Sequence, residues 1–332
     1  MVKAKVFVYQ RRFDGWPKEG DLKLVEEELP PVKNGEFLAE AVYLSVDPYS
    51  RVFSSRLPLG APFLGYQIAK VLESKNPKFP IGRHVFGYFG WRTHTVVKDE
   101  PSGMFPPPVL VPEWKDVPLS YFLGVLGMTG NTAYFGVLEI CQPKKGDVVL
   151  VSAAAGGVGS VAGQIFKIKG CTVIGLVGTE EKGKWLVNEL GFDNFINYKT
   201  ADLDKALSEV APKGIDCYFD TVGGHITNTV LSHMNEFGRI GICGTISSAN
   251  EDNETSAPFN LSHIVGKQIK MEGFTVLRWP NRQSEGMVQN HKWIQEGRLK
   301  TRETVTEGFE NAFKAFLDLF LGNNIGKAVV EI

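Results

Sequence analysis

Glycines spaced for close backbone approach to an anion are the first chemically suggestive feature of this chain. In Ala154-Ala155-Gly156-Gly157-Val158-Gly159 the spacing is A-x-G-x-x-G, with Ala154 where a G-x-G-x-x-G turn has its first glycine. Such a turn offers N–H groups and the positive end of a helix to a pyrophosphate, provided a strand enters it and a helix leaves it. Both are predicted. Val148 to Val151 is a continuous apolar run, as in a parallel strand buried on both faces. From Val158 the apolar residues Val161, Ala162, Ile165 and Phe166 recur at helical spacing. The turn therefore reads as a dinucleotide site rather than a packing turn alone.

The cofactor's identity is written at the end of the next strand. Dinucleotide folds that take NAD place an acid on the ribose 2′-OH about 20 residues after the glycines. Here the strand Thr172–Val177 ends in Gly178-Thr179, small and neutral. Glu180 and Glu181 follow, but in register they open a helix, where acids complement the N-terminal dipole. A neutral strand end leaves room for a 2′-phosphate, and Lys182, one turn on, offers it a cation. NADP(H) is the expected cofactor.

Other chemistries find little support. The six histidines form no H-x-x-x-H pattern or Cys/His cluster of zinc spacing; His225 and His233, eight apart on a predicted helix, read as polar surface residues. Cys141, Cys171, Cys217 and Cys243 are widely spaced and read as small buried hydrophobes. A net charge of -1 gives no reason to expect nucleic acid or an anionic membrane as partner. No apolar run is long enough to span a bilayer, and the N-terminus lacks the core of a signal peptide, so a cytoplasmic location is expected.

The elements that must position the turn divide the chain. With 332 residues, two domains are expected. Alternating runs at 3–12, 22–28, 36–46, 67–73, 84–89 and 93–98, separated by turn residues such as Pro30-Pro31 and Asn34-Gly35, predict a β-rich first domain. A short apolar helix is expected at 120–127. Strands then alternate with helices, the strands near 148–153, 172–177, 194–198, 215–220, 239–244 and 268–276, the helices near 158–169, 181–190, 202–210, 225–236 and 284–297. That is the pattern of a doubly wound parallel sheet, an α/β fold. A last helix at 309–321 and a strand at 327–332 have no place in the six-stranded sheet, and the strand is expected to return to the first domain. The division is 1–125 with 300–332, and 126–299.

Motifs along the whole chain then carry a family resemblance. They include Val46-Asp47-Pro48-Tyr49-Ser50-Arg51, Gly127-Met128-Thr129-Gly130 with Thr132-Ala133-Tyr134-Phe135-Gly136, the glycine turn, Asp216-Cys217-Tyr218-Phe219-Asp220 with Gly223-Gly224, Phe237-Gly238-Arg239-Ile240, and Glu307-Gly308-Phe309-Glu310-Asn311. In this order the chain resembles the zinc-free medium-chain dehydrogenase/reductases of the leukotriene B4 12-hydroxydehydrogenase and prostaglandin reductase 1 group. The resemblance implies a GroES-like first domain, a Rossmann second domain, NADPH, a homodimer, and metal-free reduction of the double bond of α,β-unsaturated ketones and aldehydes, oxo-prostaglandins and alkenals among them.

Carried over residue by residue, it implies pyrophosphate contacts at Gly156, Gly157, Val158 and Gly159, and contacts to the 2′-phosphate and adenosine end at Lys182 and Tyr198. Cys243, Gly244, Thr245, Ile246 and Ser247 would line the path to the nicotinamide, which Phe274, Thr275, Val276 and Asn324 would hold. Two positions depart from the family pattern. Thr221 replaces an asparagine before Gly-Gly, a shorter hydroxyl that still reaches a hydrogen bond. Gly266, eight residues before Phe274, replaces a tyrosine whose phenol is the usual proton donor or enolate partner. The phenols that remain are Tyr49 and Tyr66, each a candidate to hold the carbonyl oxygen or deliver a proton, and each also readable as a packing aromatic. Arg56 matches the family residue that meets a substrate carboxylate, and is also readable as a surface arginine. A quinone reductase of the same superfamily is the alternative reading, and a catalytically weak NADPH-binding protein with a structural or regulatory role is the alternative of another class.

Overall fold

The computed structural model describes residues 2–248 and 260–332. Two compact units are present, one of Met1–Gly124, Glu303–Asn324 and Ala328–Ile332, the other of Val125–Arg302 and Ile325–Lys327.

In the first unit the chain runs through β1 (Lys3–Tyr9), β2 (Leu22–Glu28), β3 (Glu36–Ser45), α1 (Tyr49–Phe53), β4 (Tyr66–Ser74), β5 (His84–Tyr88), β6 (His94–Lys98) and β7 (Val109–Leu110). The second unit contributes α2 (Met128–Phe135), β8 (Val148–Val151), α3 (Gly157–Ile168), β9 (Thr172–Val177), α4 (Glu180–Leu190), β10 (Asn194–Asn197) and α5 (Leu203–Val210). It continues with β11 (Ile215–Asp220), α6 (Gly224–His233), β12 (Met234–Ile242), α7 (Leu261–Gly266), β13 (Lys270–Gly273) and α8 (Gln283–Gln295), before β14 (Glu303–Glu307), α9 (Ala312–Leu321) and β15 (Lys327–Glu331) close the chain.

The first unit is a sheet in the order β14-β15-β3-β4-β5-β7, antiparallel from β15 to β7, with β6 also antiparallel on β3 and the hairpin β1-β2 beside it. The C-terminal strand β15 pairs with β3, Val330 opposite Leu44. Its core is aromatic: Phe63, Trp91 and Phe316 are wholly buried, with the Phe63 and Trp91 rings 4.9 Å apart, edge to face. Gly65 makes room for that tryptophan, since a Cβ there would stand 2.5 Å from Trp91 Cδ1.

The second unit is a six-stranded parallel sheet in the order β10-β9-β8-β11-β12-β13. The order reverses after β8, whose neighbours are β9 and β11, so the C-terminal ends of these strands open onto the switch point where such sheets bind ligands. β8 is buried on both faces, as its unbroken valine-rich run predicts. The helices are punctuated by their sequences: Thr179 caps α4 by accepting from Lys182 N, and Gly191 ends it in the left-handed region at φ 75°.

Three departures from the sequence pattern have physical reasons. The expected helix at 120–127 is a 3-10 turn, Leu119–Leu123, and the true helix is α2, continuing as a π turn through Gly136–Cys141. α2 is buried on nearly every side, so it shows no polar face for periodicity to detect. Gly130 brings it against the preceding loop, because any Cβ there would meet Val125 O. The helix expected to reach 236 stops at His233, and β12 begins at once, passing Phe237 with φ 59°. The strand expected over 268–276 is four residues long and follows a short helix, α7, that sequence did not indicate.

Candidate functional site

The glycine turn joins β8 to α3. Gly156 is the N-cap of α3 and has no side chain with which to cap the first-turn N–H groups. A twelve-residue helix with an uncapped N-terminus is a ready anion site. Gly159 fixes helix against turn: a Cβ there would lie 2.4 Å from Ala153 O and 2.9 Å from Ala154 Cα. The segment Ile325–Lys327 lies alongside, with Gly326 N donating to Ala155 O at 2.7 Å and Gly326 bridging Gly156.

At the end of β9, Gly178 is surrounded by the groups a 2′-phosphate needs. β9 and β10 are neighbours, Val177 opposite Asn197, so Tyr198 and Lys199 emerge beside Gly178. A Cβ on Gly178 would stand 3.4 Å from Tyr198 Oη and 3.1 Å from Lys199 Cε. Lys182 joins them: partial burial and, next, the like charge of Lys199 lower its pKa, while Glu181 opposes the shift. Two ammonium groups held this close to each other favour an anion between them. Lys199 was not singled out by the sequence, although it directly follows Tyr198.

Beyond the switch point, the ends of β8 and β11 and the first turns of α6 are tied by one carboxylate. Asp220 is 1% exposed, and its Oδ1 accepts from Ser152 Oγ (3.2 Å), Tyr218 Oη (3.0 Å), Val222 N (2.9 Å) and Gly223 N (2.9 Å), while Thr227 Oγ1 donates to Oδ2. The turn that follows passes Gly223 and Gly224 at φ 74° and 63°, which only glycine adopts without strain. Thr221 N donates to Ser152 Oγ at 2.8 Å and Thr221 Oγ1 to Ser152 O at 3.2 Å, so the hydroxyl is engaged as a donor and keeps its acceptor side. Cys243 N donates to Asp220 O at 2.8 Å, and Ser247 N and Oγ both donate to Val222 O. Cys243, Gly244, Thr245, Ile246 and Ser247 are thus packed as one segment against the β11 turn. Burial, then the charge of Asp220, pushes the Cys243 thiol up and keeps it neutral. Phe274 N donates to Ile242 O at 3.0 Å, but the Phe274 ring points into the core against Phe219 and Trp279. What Phe274 offers a ligand is backbone; Thr275 is exposed and Val276 is buried.

In the first unit, Tyr49 opens α1 and Arg56 ends the 3-10 turn after it. Arginines anchor this segment: Arg12 Nη1 donates to Ser54 O (3.1 Å) and Ser55 O (2.9 Å), and Arg51 Nη2 to Gly15 O (3.1 Å). Arg56 is exposed and forms no salt bridge among the described residues. Tyr66 is not in a loop before the strand; it is the first residue of β4, 4% exposed, and its ring meets Tyr49 at 6.4 Å. Burial first, then the charge of Asp47, pushes both phenols up.

The whole chain has relatives. Residues 5–104 match the family described as the N-terminal domain of oxidoreductase, and residues 157–292 match the zinc-binding dehydrogenase family. Prostaglandin reductase 1 of Bos taurus is 46% identical over 334 residues, covering all of both chains. This chain belongs to the medium-chain dehydrogenase/reductases, in their prostaglandin reductase 1 group. A 2-alkenal reductase (NADP(+)-dependent) of Nicotiana tabacum is 39% identical across all of this chain and 99% of its own. CurA of Vibrio vulnificus, solved in complex with NADPH, superposes with a TM-score of 0.92 at 36% identity over 98% of each chain.

Within this medium-chain reductase several positions are distinctive. Among the described residues, no group of three His, Cys, Asp or Glu side chains could hold the metal of the family description. Gly266 ends α7, and nothing among the described residues lies within 4 Å of a Cβ built on it. Asn324 is buried, immediately before Ile325–Lys327. His233 is not a free surface residue: its Nε2 lies 2.8 Å from Asp204 Oδ1.

Proposed function

We propose that this medium-chain reductase is an NADPH-dependent reductase of the carbon-carbon double bond of α,β-unsaturated ketones and aldehydes. NADPH, when bound, supplies the hydride, which adds at the β-carbon. The chain's part is to hold the ends of the dinucleotide and to steady the substrate oxygen. Gly156, Gly157, Val158 and Gly159 cradle the pyrophosphate at the head of α3. Lys182 and Tyr198 hold the 2′-phosphate end, with Lys199 as a second cation. Thr221, the segment Cys243–Ser247, Phe274–Val276 and Asn324 hold the remainder. Tyr49 and Tyr66, kept protonated by burial, are donors for the oxygen that gathers charge as the double bond is reduced. Arg56, exposed and without an ion pair among the described residues, meets the carboxylate of substrates such as 15-oxo-prostaglandins.

The observation that carries the cofactor reading is the Gly178 cradle with its two lysines. The substrate reading rests on the likeness to prostaglandin reductase 1 and 2-alkenal reductase. NADPH oxidation measured side by side with a simple enal, a 15-oxo-prostaglandin and a quinone tests it. Turnover of the first two is expected, and turnover of the quinone alone would refute it.

The same reading includes a homodimer. β13 ends the sheet with one edge unpaired among the described residues. Phe237, Leu261 and Val265 are 64%, 62% and 77% exposed, and Phe237 N donates to Lys267 O, just past α7. Open backbone beside exposed apolar side chains suits pairing with a second copy. Sedimentation as a single 36.7 kDa chain would contradict it. A cytoplasmic location accords with four unpaired cysteines, and cell fractionation checks it.

A further inference from the structure

Tyr88 has no task in the reading above, yet its position is specific. It ends β5 and is the register partner of Tyr66 across the β4–β5 ladder. Side chains alternate along a strand, so Phe86 shares the face of Tyr88. Tyr66 stacks on Phe86 at 4.8 Å with 8° between the planes, and meets Tyr88 edge-on at 5.2 Å. Phe105 stacks over Tyr88 at 3.6 Å, held there by reciprocal Ser102–Phe105 backbone hydrogen bonds of 3.0 Å. The result is an aromatic enclosure in which Tyr49 Oη and Tyr88 Oη are both shut off from solvent and neither completes a hydrogen bond among the described residues; the Ser50 hydroxyl beside Tyr49 donates to Leu64 O at 3.2 Å instead.

Buried polar groups in folded proteins are nearly always satisfied, so two orphaned hydroxyls in one cluster mark the place of an absent acceptor. The surroundings define that acceptor. Burial holds both phenols in the protonated form, so each keeps an O–H to donate. Asp47, whose carboxylate accepts from Ser45 Oγ, puts a negative charge close to the cluster and disfavours an anion. The walls are flat rings. A neutral carbonyl oxygen on a planar conjugated chain meets all three conditions.

We propose that Tyr88 acts with Tyr49 as a pair of hydrogen-bond donors to the carbonyl oxygen of the unsaturated ketone or aldehyde. The assignment rests on the enone-reductase reading. Hydride from NADPH adds to the β-carbon, the π pair of the carbon-carbon double bond shifts to join the α-carbon to the carbonyl carbon, the carbonyl π pair moves onto the oxygen as the enolate forms, and both phenols keep their protons. The α-carbon then takes a proton from water, which restores the carbonyl.

The test compares wild type with Tyr88→Phe and Tyr49→Phe, using NADPH with 3-octen-2-one, and separately the binding of 2-octanone, which has no double bond to reduce. Each variant is expected to lose about tenfold or more in kcat, since removing one oxyanion donor typically costs about 10²–10³. NADPH affinity should be unchanged, 2-octanone should bind several-fold more weakly, and the melting temperature should hold or rise because an unsatisfied hydroxyl has gone. Tyr88→Phe with kcat and 2-octanone affinity within about threefold of wild type would overturn the assignment. So would a loss accompanied by lower NADPH affinity and a lower melting temperature, which would mark the ring as structural. If wild type fails to reduce 3-octen-2-one but 2-octanone binding still depends on Tyr88, the enone reading falls and the donor pair stands.

Discussion

Lys199 and Gly178 face each other so closely that a single Cβ on the glycine would sit 3.1 Å from the lysine's Cε. The missing side chain lets two ammonium groups, Lys199 and Lys182, gather at the end of β9. Lys182→Ala and Lys199→Ala should each raise the KM for NADPH about tenfold or more, in line with a charge-assisted bond of ~1.5–3 kcal/mol. The KM for NADH should barely move. Equal effects on both cofactors would remove the 2′-phosphate from this place.

Asp220 is the knot of the switch point, with five donors converging on one buried carboxylate. Asp220→Ala strands them all, and a loss of about 3 kcal/mol in chemical unfolding is expected, together with weaker NADPH binding. A loss under about 1 kcal/mol would show that water replaces the carboxylate at little cost.

The phenols set a pH signature. Tyr49, Tyr66 and Tyr88 are all raised above the ordinary 10.0 by burial. A raised pKa keeps the proton on through the neutral range, so donation is complete below pH 10 and is lost only as pH passes through the raised value. Above pH 10 the unfolded chain ionises first, and these groups then lower stability. The kcat/KM for an uncharged alkenal should carry no phenol ionisation between about pH 6 and 9. A fall in that window abolished by Tyr66→Phe would contradict this. Tyr66→Phe, which removes a donor to the substrate oxygen, should cost about tenfold or more in kcat, and a loss under about threefold would take Tyr66 out of that role.

The proposed role of Arg56 makes it discriminate substrates by charge. Arg56→Ala should reduce efficiency on a 15-oxo-prostaglandin about tenfold and leave an uncharged alkenal unaffected, because an ion pair acts only where the charge exists. Parallel losses on both would assign Arg56 to the structure of its turn.

Much of this was legible in the chain. The glycine turn announced itself because strand, turn and helix each have a local signature, and the neutral Gly178-Thr179 end told the cofactor apart from NAD. β1 to β6 followed their alternation to within a few residues, β1 ending at Tyr9 where Arg12 was expected. What stayed hidden depends on contacts far apart in sequence. α2 has no polar face to reveal it. Lys199 matters only because β10 lies beside β9. Tyr88 joins Tyr66 through a ladder register that no local pattern records, and Asp220 looks like the end of a strand until its donors from Ser152 and Thr227 arrive.

The central claim is hydride delivery to the β-carbon, and isotope transfer reads it directly. With NADPH deuterated at the transferring C4 position and 3-octen-2-one as substrate, the product should be 2-octanone carrying deuterium at the former β-carbon, its new α-hydrogen drawn from solvent. An allylic alcohol with deuterium on the carbonyl carbon, or a saturated product without label, would contradict the account.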